Sequence, residues 1–470
     1  MKYIRWLLLG LLVVGLLATR PGVSRASAKG IPADDLATAV AQAAPGATIL
    51  VDGGVYHGAL LIDKPLTLIG QNWPVIDGGG VGTVINITSA DTTLEGFVIR
   101  GSGHSLDQEN SGLAGAAPRL TIRGNRFEDT LFGIYLRESP NSVIDSNHIS
   151  SKPLDVPRRG DGIRVWASHD TLIEKNQVVD GRDVVLWYSE RLTVRENEVR
   201  NGRYGLHFMY CDDALITQNR LLDNSVGAFL MYSRRLHMIN NTVAGNRGPS
   251  GYGIGLKDVD DALVADNLFL NNRTAVYLDG SPREVDSIGQ FTGNVFAYND
   301  IGVEMLPAVR HNQFTGNSFI ENQEQVAIAG GGTPGSNEWT PAGRGNYWSD
   351  YAGYDADGDG LGDMSYKAER LFENLMQREP NLRLFLYSPA TNALDFAARA
   401  FPLVKPQPKL VDERPLTTPR IPSKTPPLPV PQNQGWVAQA LLILGLTFAM
   451  VLGLPQWHWR RYRLPQAGSR

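Results

Sequence analysis

Short segments of alternating hydrophobic and polar residues recur through the middle of this 470-residue chain. Gly133-Ile134-Tyr135-Leu136, Gly162-Ile163-Arg164-Val165, Gly205-Leu206-His207-Phe208 and Gly253-Ile254-Gly255-Leu256 share one pattern. A period of two predicts strands with one buried face. A second strand type, such as Leu192-Thr193-Val194 or Ala214-Leu215-Ile216, precedes an Asn-x-hydrophobic element. That Asn recurs at 125, 147, 176, 197, 219, 241, 267, 294 and 317, mostly about 22 residues apart. Several short strands per unit and a near-constant period predict a solenoid, because one unit cannot bury its own apolar face. Equivalent Asn side chains stacked rung on rung can form an amide ladder, which only a parallel β-helix places directly in line. The expected class is therefore all-β, a right-handed parallel β-helix. At about 4.8 Å per rung, the nine Asn describe a column of roughly 40 Å.

The same alternation assigns outward positions. Arg137, Trp166, Trp187, Met209, Met231, Lys257 and Asp279 are predicted to form one outward column. Tyr135, Arg164, Val185, His207, Phe229, Gly255 and Tyr277 form the column beside it. Large apolar side chains on an outward face mark a partner surface, here Trp166, Trp187 and Phe229. Within it His207 and Met209 share a strand face, with Met231 one rung on. Thioether and imidazole ligands suit Cu(I). Cys211 shares their parity if the strand continues, and joins the candidate copper ligands. Surface Met and His without a metal remain the plain alternative.

The ends have a different pattern. Lys2 and Arg5 precede an apolar run from Trp6 to Ala18, and Ala26-Ser27-Ala28 offers a cleavage site, so residues 1–28 read as a signal peptide. Asp35 to Ala43 reads as an amphipathic cap helix within 29–48, ahead of a β-helix over 49–335. Residues 336–401 contain an Asp/Gly loop and a C-terminal cap region, and 402–435 read as an extended, Pro-rich spacer. Residues 436–455 are long and apolar enough for a transmembrane helix, followed by a basic tail over 456–470. Arg460, Arg461 and Arg463 put that tail on the cytoplasmic side and the body outside.

Composition narrows the picture further. A net charge of −4 with 20% charged residues argues against a nucleic-acid partner. A single cysteine excludes an intrachain disulfide, so the core alone must hold the body. Asp355, Asp357, Asp359 and Asp363 stand at positions 1, 3, 5 and 9 of a loop with Gly360 at 6, a calcium-loop pattern. It lacks the acid at position 12, where Tyr366 stands. An enzyme acting on acidic polysaccharides, a lyase or epimerase, is one rival function, with Asp161 and Asp183 the best acids and Arg164 close by; a β-helix carbohydrate-binding protein is the other. No Asp-Pro-His, Gly-His-Gly, His-Glu-x-x-His, Gly-x-Ser-x-Gly or phosphate-binding loop accompanies those acids.

Particular runs carry a resemblance. Arg203-Tyr204-Gly205-Leu206-His207-Phe208-Met209-Tyr210, Met231-Tyr232-Ser233-Arg234-Arg235 and Tyr252-Gly253-Ile254-Gly255-Leu256-Lys257-Asp258 resemble the NosD family of nitrous oxide reductase maturation proteins. So do Phe132-Gly133-Ile134-Tyr135-Leu136 and Gly345-Asn346-Tyr347-Trp348-Ser349-Asp350-Tyr351. The likeness covers about residues 45 to 405. It implies a periplasmic, non-catalytic β-helix that works with an ABC transporter permease and ATPase. It also implies nitrous oxide reductase and a copper chaperone as partners, with copper as the cargo. The chain departs from the family in its C-terminal span and in Cys211, where a Ser would fit the rung pattern.

Overall fold

In a computed structural model of the chain, residues 31–32, 36–330, 335–369 and 408–421 are described, with scattered positions between 375 and 397. Among these, three parallel sheets of 13, 12 and 13 strands run side by side, each strand hydrogen-bonded to its equivalent one rung away. We call them sheets A, B and C, in the order in which one rung visits them. The rung at mid-stack has Thr193–Arg195 in A, Glu198–Arg200 in B and Tyr204–Met209 in C. Val194, Val199, Leu206 and Phe208 face inward and are buried. The architecture is the expected parallel β-helix.

The corners explain the period. Between sheets A and B the chain turns through one residue in the left-handed region: Lys175, Glu196, Gln218, Asn240 or Asp266, with φ of 53°, 55°, 58°, 57° and 52°. The next residue is the recurring Asn. Asn197 donates from Nδ2 to Oδ1 of Asn219 at 2.9 Å, and Asn219 to Asn241 at 3.0 Å. Each amide also bonds inward, as Asn219 Nδ2 does to the Val194 carbonyl at 2.8 Å. The ladder runs unbroken from Asn125 to Asn346. At the start of the C strands glycine is required by close approach: a Cβ at Gly205 would collide with the carbonyl oxygen of Gly227.

A second amide ladder was not anticipated. Asn224, Asn246, Asn272, Asn299 and Asn322 link between sheets B and C, with Nδ2–Oδ1 bonds of 2.8, 3.1 and 2.9 Å along its upper part. In the last turns an aromatic file fills the core. Phe269, Phe296, Phe319, Trp348 and Tyr366 follow one another at 5.2, 4.7, 4.3 and 4.4 Å between ring centres.

The ends require corrections. Of the cap helix expected at the start, the structure has seven residues, Leu36–Gln42, which bury Leu36 and Val40. Residues 408–421, expected to be part of an extended spacer, instead fold back along the last turns. Val411–Asp412 pairs antiparallel with Tyr366–Lys367. Lys409 is buried against Glu324, and Asp412 accepts hydrogen bonds from Trp348 Nε1 at 2.9 Å and Asn346 N at 2.7 Å. Proline-rich composition favours extended chain, but here buried ionic and hydrogen-bond partners remote in sequence fix that chain onto the stack. The expected signal peptide, the span over 436–455 and the basic tail lie outside the described residues. Among the described residues no helix is long and apolar enough to cross a membrane.

Candidate metal site and aromatic face

Sheet C carries both expected columns. Cα register pairs Arg137 with Trp166, Trp166 with Trp187, Trp187 with Met209, Met209 with Met231, Met231 with Lys257, and Lys257 with Asp279. The neighbouring column from Tyr135 through Arg164, Val185, His207, Phe229 and Gly255 to Tyr277 is equally continuous. Trp166, Trp187, Met209, Phe229 and Met231 are half-buried on the outer face, and His207 is buried beside them.

His207 is framed from behind. Its Nδ1 lies 3.7 Å from Asp183 Oδ2 and has no hydrogen-bond partner. Asp183 is gripped by Arg203 through two N–H groups and by the Tyr204 backbone N–H at 3.2 Å. Burial works against the Asp183 charge, yet the adjacent His207 and Arg203 hold its carboxyl below the usual range. The Asp183 carboxylate faces Nδ1 at ion-pair distance without a hydrogen bond, so it biases the ring electrostatically; a carboxylate behind the imidazole is a common arrangement at metal sites. With two thioethers on adjacent rungs, the donor set fits a soft monovalent ion.

Cys211 does not belong to this set. It follows Tyr210, whose left-handed φ of 55° turns the chain inward, and it is fully buried in the core. It takes a serine's place in a ladder: Ser189 N donates to its sulfur at 3.5 Å, and Cys211 N donates to Ser233 Oγ at 2.9 Å. Its Sγ–H points to the Leu186 carbonyl at 3.1 Å. Burial pushes the thiol up to about 12, so no thiolate is on offer.

The turn that removes Cys211 adds aromatics that the sequence reading passed over. Tyr188, Tyr210 and Tyr232 occupy successive corners beyond Trp187, Met209 and Met231, with φ of 52°, 55° and 51°. Their rings stack at 5.1 and 5.2 Å. Bulky residues are costly in that region, and equivalent corners elsewhere hold Asp258 and Gly280. Their position directly after each outward-column residue was the available signal.

Polar strain gathers at the same place. Among the described residues, Asp161 Oδ2, Arg164 Nε, Trp187 Nε1 and His207 Nδ1 are buried without a hydrogen-bond partner, although Asp161 Oδ2 and Arg164 Nε face each other at 3.9 Å. A buried donor left wholly unpaired, as Trp187 Nε1 is, costs about 1–3 kcal/mol, and all four atoms fall on neighbouring rungs of sheet C. Burial pushes the Asp161 carboxyl up to about 6, against Arg182 at 3.0 Å and with the help of Asp183.

The acidic loop is only partly assembled. Asp355, Asp357 and Asp359 bring ligand oxygens within 4.8 Å of one another. Asp363 stands apart from that group and accepts from Ala356 N at 2.7 Å, while Asp359 is ion-paired with Arg414.

A curated relative from Pseudomonas aeruginosa, "Probable ABC transporter binding protein NosD", is 32% identical over 83% of this chain and 94% of its own length. The chain belongs to the NosD family. A second protein of that name, from Stutzerimonas stutzeri, is 28% identical over 77% of this chain and 85% of its own. The profile of the family described as "Periplasmic copper-binding protein (NosD)" matches residues 146–353, which contain the sheet C face from Arg164 onward. A "Right handed beta helix region" matches residues 75–185, which gives the hand of the solenoid. Among solved structures, a Dettilon tailspike protein is 15% identical with a TM-score of 0.46, over 63% of this chain and 64% of that one.

Proposed function

We propose that this NosD-family chain is an extracytoplasmic accessory protein for maturation of nitrous oxide reductase. It works with an ABC transporter permease and ATPase, receives copper from a copper chaperone, and binds Cu(I) as cargo rather than as a resident cofactor. The ligands are Met209, Met231 and His207, and Trp166, Trp187 and Phe229 surround them as the partner surface. The observation that carries this reading is the direct register of Met209 and Met231 with His207 backed by Asp183. A cleaved signal peptide directs the body across the cytoplasmic membrane, and the apolar stretch at 436–455 holds it at the outer side. The cluster of Asp355, Asp357 and Asp359 is a weak calcium loop that steadies the chain end.

Two measurements test the reading. Cu(I) titration of the protein against a competing chelator gives tight binding, and Met209→Ala with Met231→Ala weakens it at least tenfold. Equal curves remove those ligands. Deleting the gene lowers the copper content and activity of nitrous oxide reductase; normal enzyme in the deletion strain sinks the maturation role.

The raised carboxyl of Asp161 beside Arg164 and Arg182 favours a second reading, acid–base action on an acidic polysaccharide. Incubation with alginate or pectate separates the two. Unsaturated products require the enzyme; their absence together with Cu(I) binding supports the cargo role.

A further inference from the structure

Trp187 precedes Met209 by one rung in the outward column, and Met231 follows it by one. The indole meets the His207 imidazole edge-on, with ring centres 5.2 Å apart and planes at 88°. Trp166 packs against the indole at 5.6 Å and restrains it. The indole therefore borders the face that carries Met209, Met231 and His207, with the Arg164 guanidinium carbon 5.8 Å from its ring centre. The indole nitrogen is buried with no acceptor, so its N–H contributes nothing to holding the ring there. A phenyl or isobutyl group would fill an apolar column without an orphaned donor. What an indole offers beyond them is the strongest attraction for a cation among the aromatic side chains.

Resting on the copper reading of this site, we infer that Trp187 forms a cation–π wall over the bound ion and makes the site selective for a soft monovalent cation. Two sulfurs and one nitrogen leave such an ion with an open side. The indole closes that side without adding a ligand atom and keeps water from it. A strongly hydrated divalent ion gains little from the same wall, since it must shed tightly held water to approach the ring. The selectivity thus comes from Trp187, while the affinity comes mainly from the sulfurs.

The full-length protein, kept reduced, is titrated with Ag(I) as a redox-inert probe and with Cu(I) against a chelator. Tryptophan fluorescence is quenched in proportion to the bound ion and saturates at one equivalent. Trp187→Leu abolishes the quench and weakens binding by about tenfold. Trp187→Phe, which preserves ring packing, also abolishes the quench with a smaller loss of affinity. Trp166→Phe retains most of both. Zn(II) binding, weak in the wild type, is unchanged in all three. The wall is overturned if Trp187→Leu and Trp187→Phe keep wild-type affinity while the Met209→Ala, Met231→Ala double variant loses it. If the double variant also binds normally, the copper reading of the site fails, and the wall with it.

Discussion

At the scale of single residues, burial decides which side chains do chemistry. Asp161 keeps its proton to about pH 6 in the folded chain, whereas an unfolded Asp releases it near 4. Between those values the unfolded state loses its proton first. Stability therefore falls as pH rises from about 4 to 6, by up to about 3 kcal/mol, and is level above that. Asp183, held below the usual range, acts in the opposite sense: its contribution is lost only as pH falls through its folded value. Urea unfolding at a series of pH values checks this. Asp161→Asn is expected to flatten the slope between pH 4 and 6, and an unchanged slope would assign it to another group. Cys211 makes the contrast. The outward parity of Met209 extends to it in sequence, yet the left-handed Tyr210 reverses it. Cys211→Ser is expected to change stability by less than about 1 kcal/mol, since Ser is the ladder's own residue, and to leave Cu(I) affinity unchanged. A thiol reagent such as DTNB should reach Cys211 only on unfolding; a fast reaction with the folded protein would contradict its burial.

At the scale of the element, the rung was legible because two signals reinforce each other. Alternation fixed the sheet C register, and the Asn period fixed the corner between sheets A and B. The second ladder was missed although each of its members lies five residues after a first-ladder Asn, as Asn224 lies after Asn219. On earlier rungs that position holds Lys152, Gly181 and Gly202, so the period is not visible until mid-stack. The tyrosine corners were missed because bulky residues are poor predictors of a left-handed turn. The ladders hold the stack together, which makes a sharp test. Asn219 Oδ1 accepts from Asn197 N at 3.0 Å, and its Nδ2 serves Val194 and Asn241. Asn219→Ala orphans buried donors and acceptors on two rungs and should cost about 2–4 kcal/mol. Denaturant unfolding measures it; a cost below 1 kcal/mol would mean that water replaces the amide.

At the scale of the whole molecule, the least legible feature was the fate of the chain after the last turn. Proline-rich composition reads as a free spacer, but Lys409, Asp412 and Leu416 have partners that only the folded stack creates. Asp412 ends the first Asn ladder by accepting from Asn346 N, and it takes the Trp348 indole N–H as well. This removes residues 408–421 from the expected spacer and ties them to the last turns of the solenoid. In a stack each rung contacts mainly its neighbours, so damage at one end spreads only as far as local stability allows. Deleting residues 408–421 uncovers Glu324, Asn346 and Trp348 and leaves the mid-stack rungs untouched. Hydrogen exchange should show lost protection at Ser318–Ile320, Glu324–Ile328 and Tyr347–Trp348. Tyr204–Met209 and Val226–Met231 should keep theirs, and Cu(I) affinity should hold. Uniform loss of protection along the stack would instead mean that the fold-back segment supports the solenoid as one cooperative unit, with the metal face dependent on the chain end.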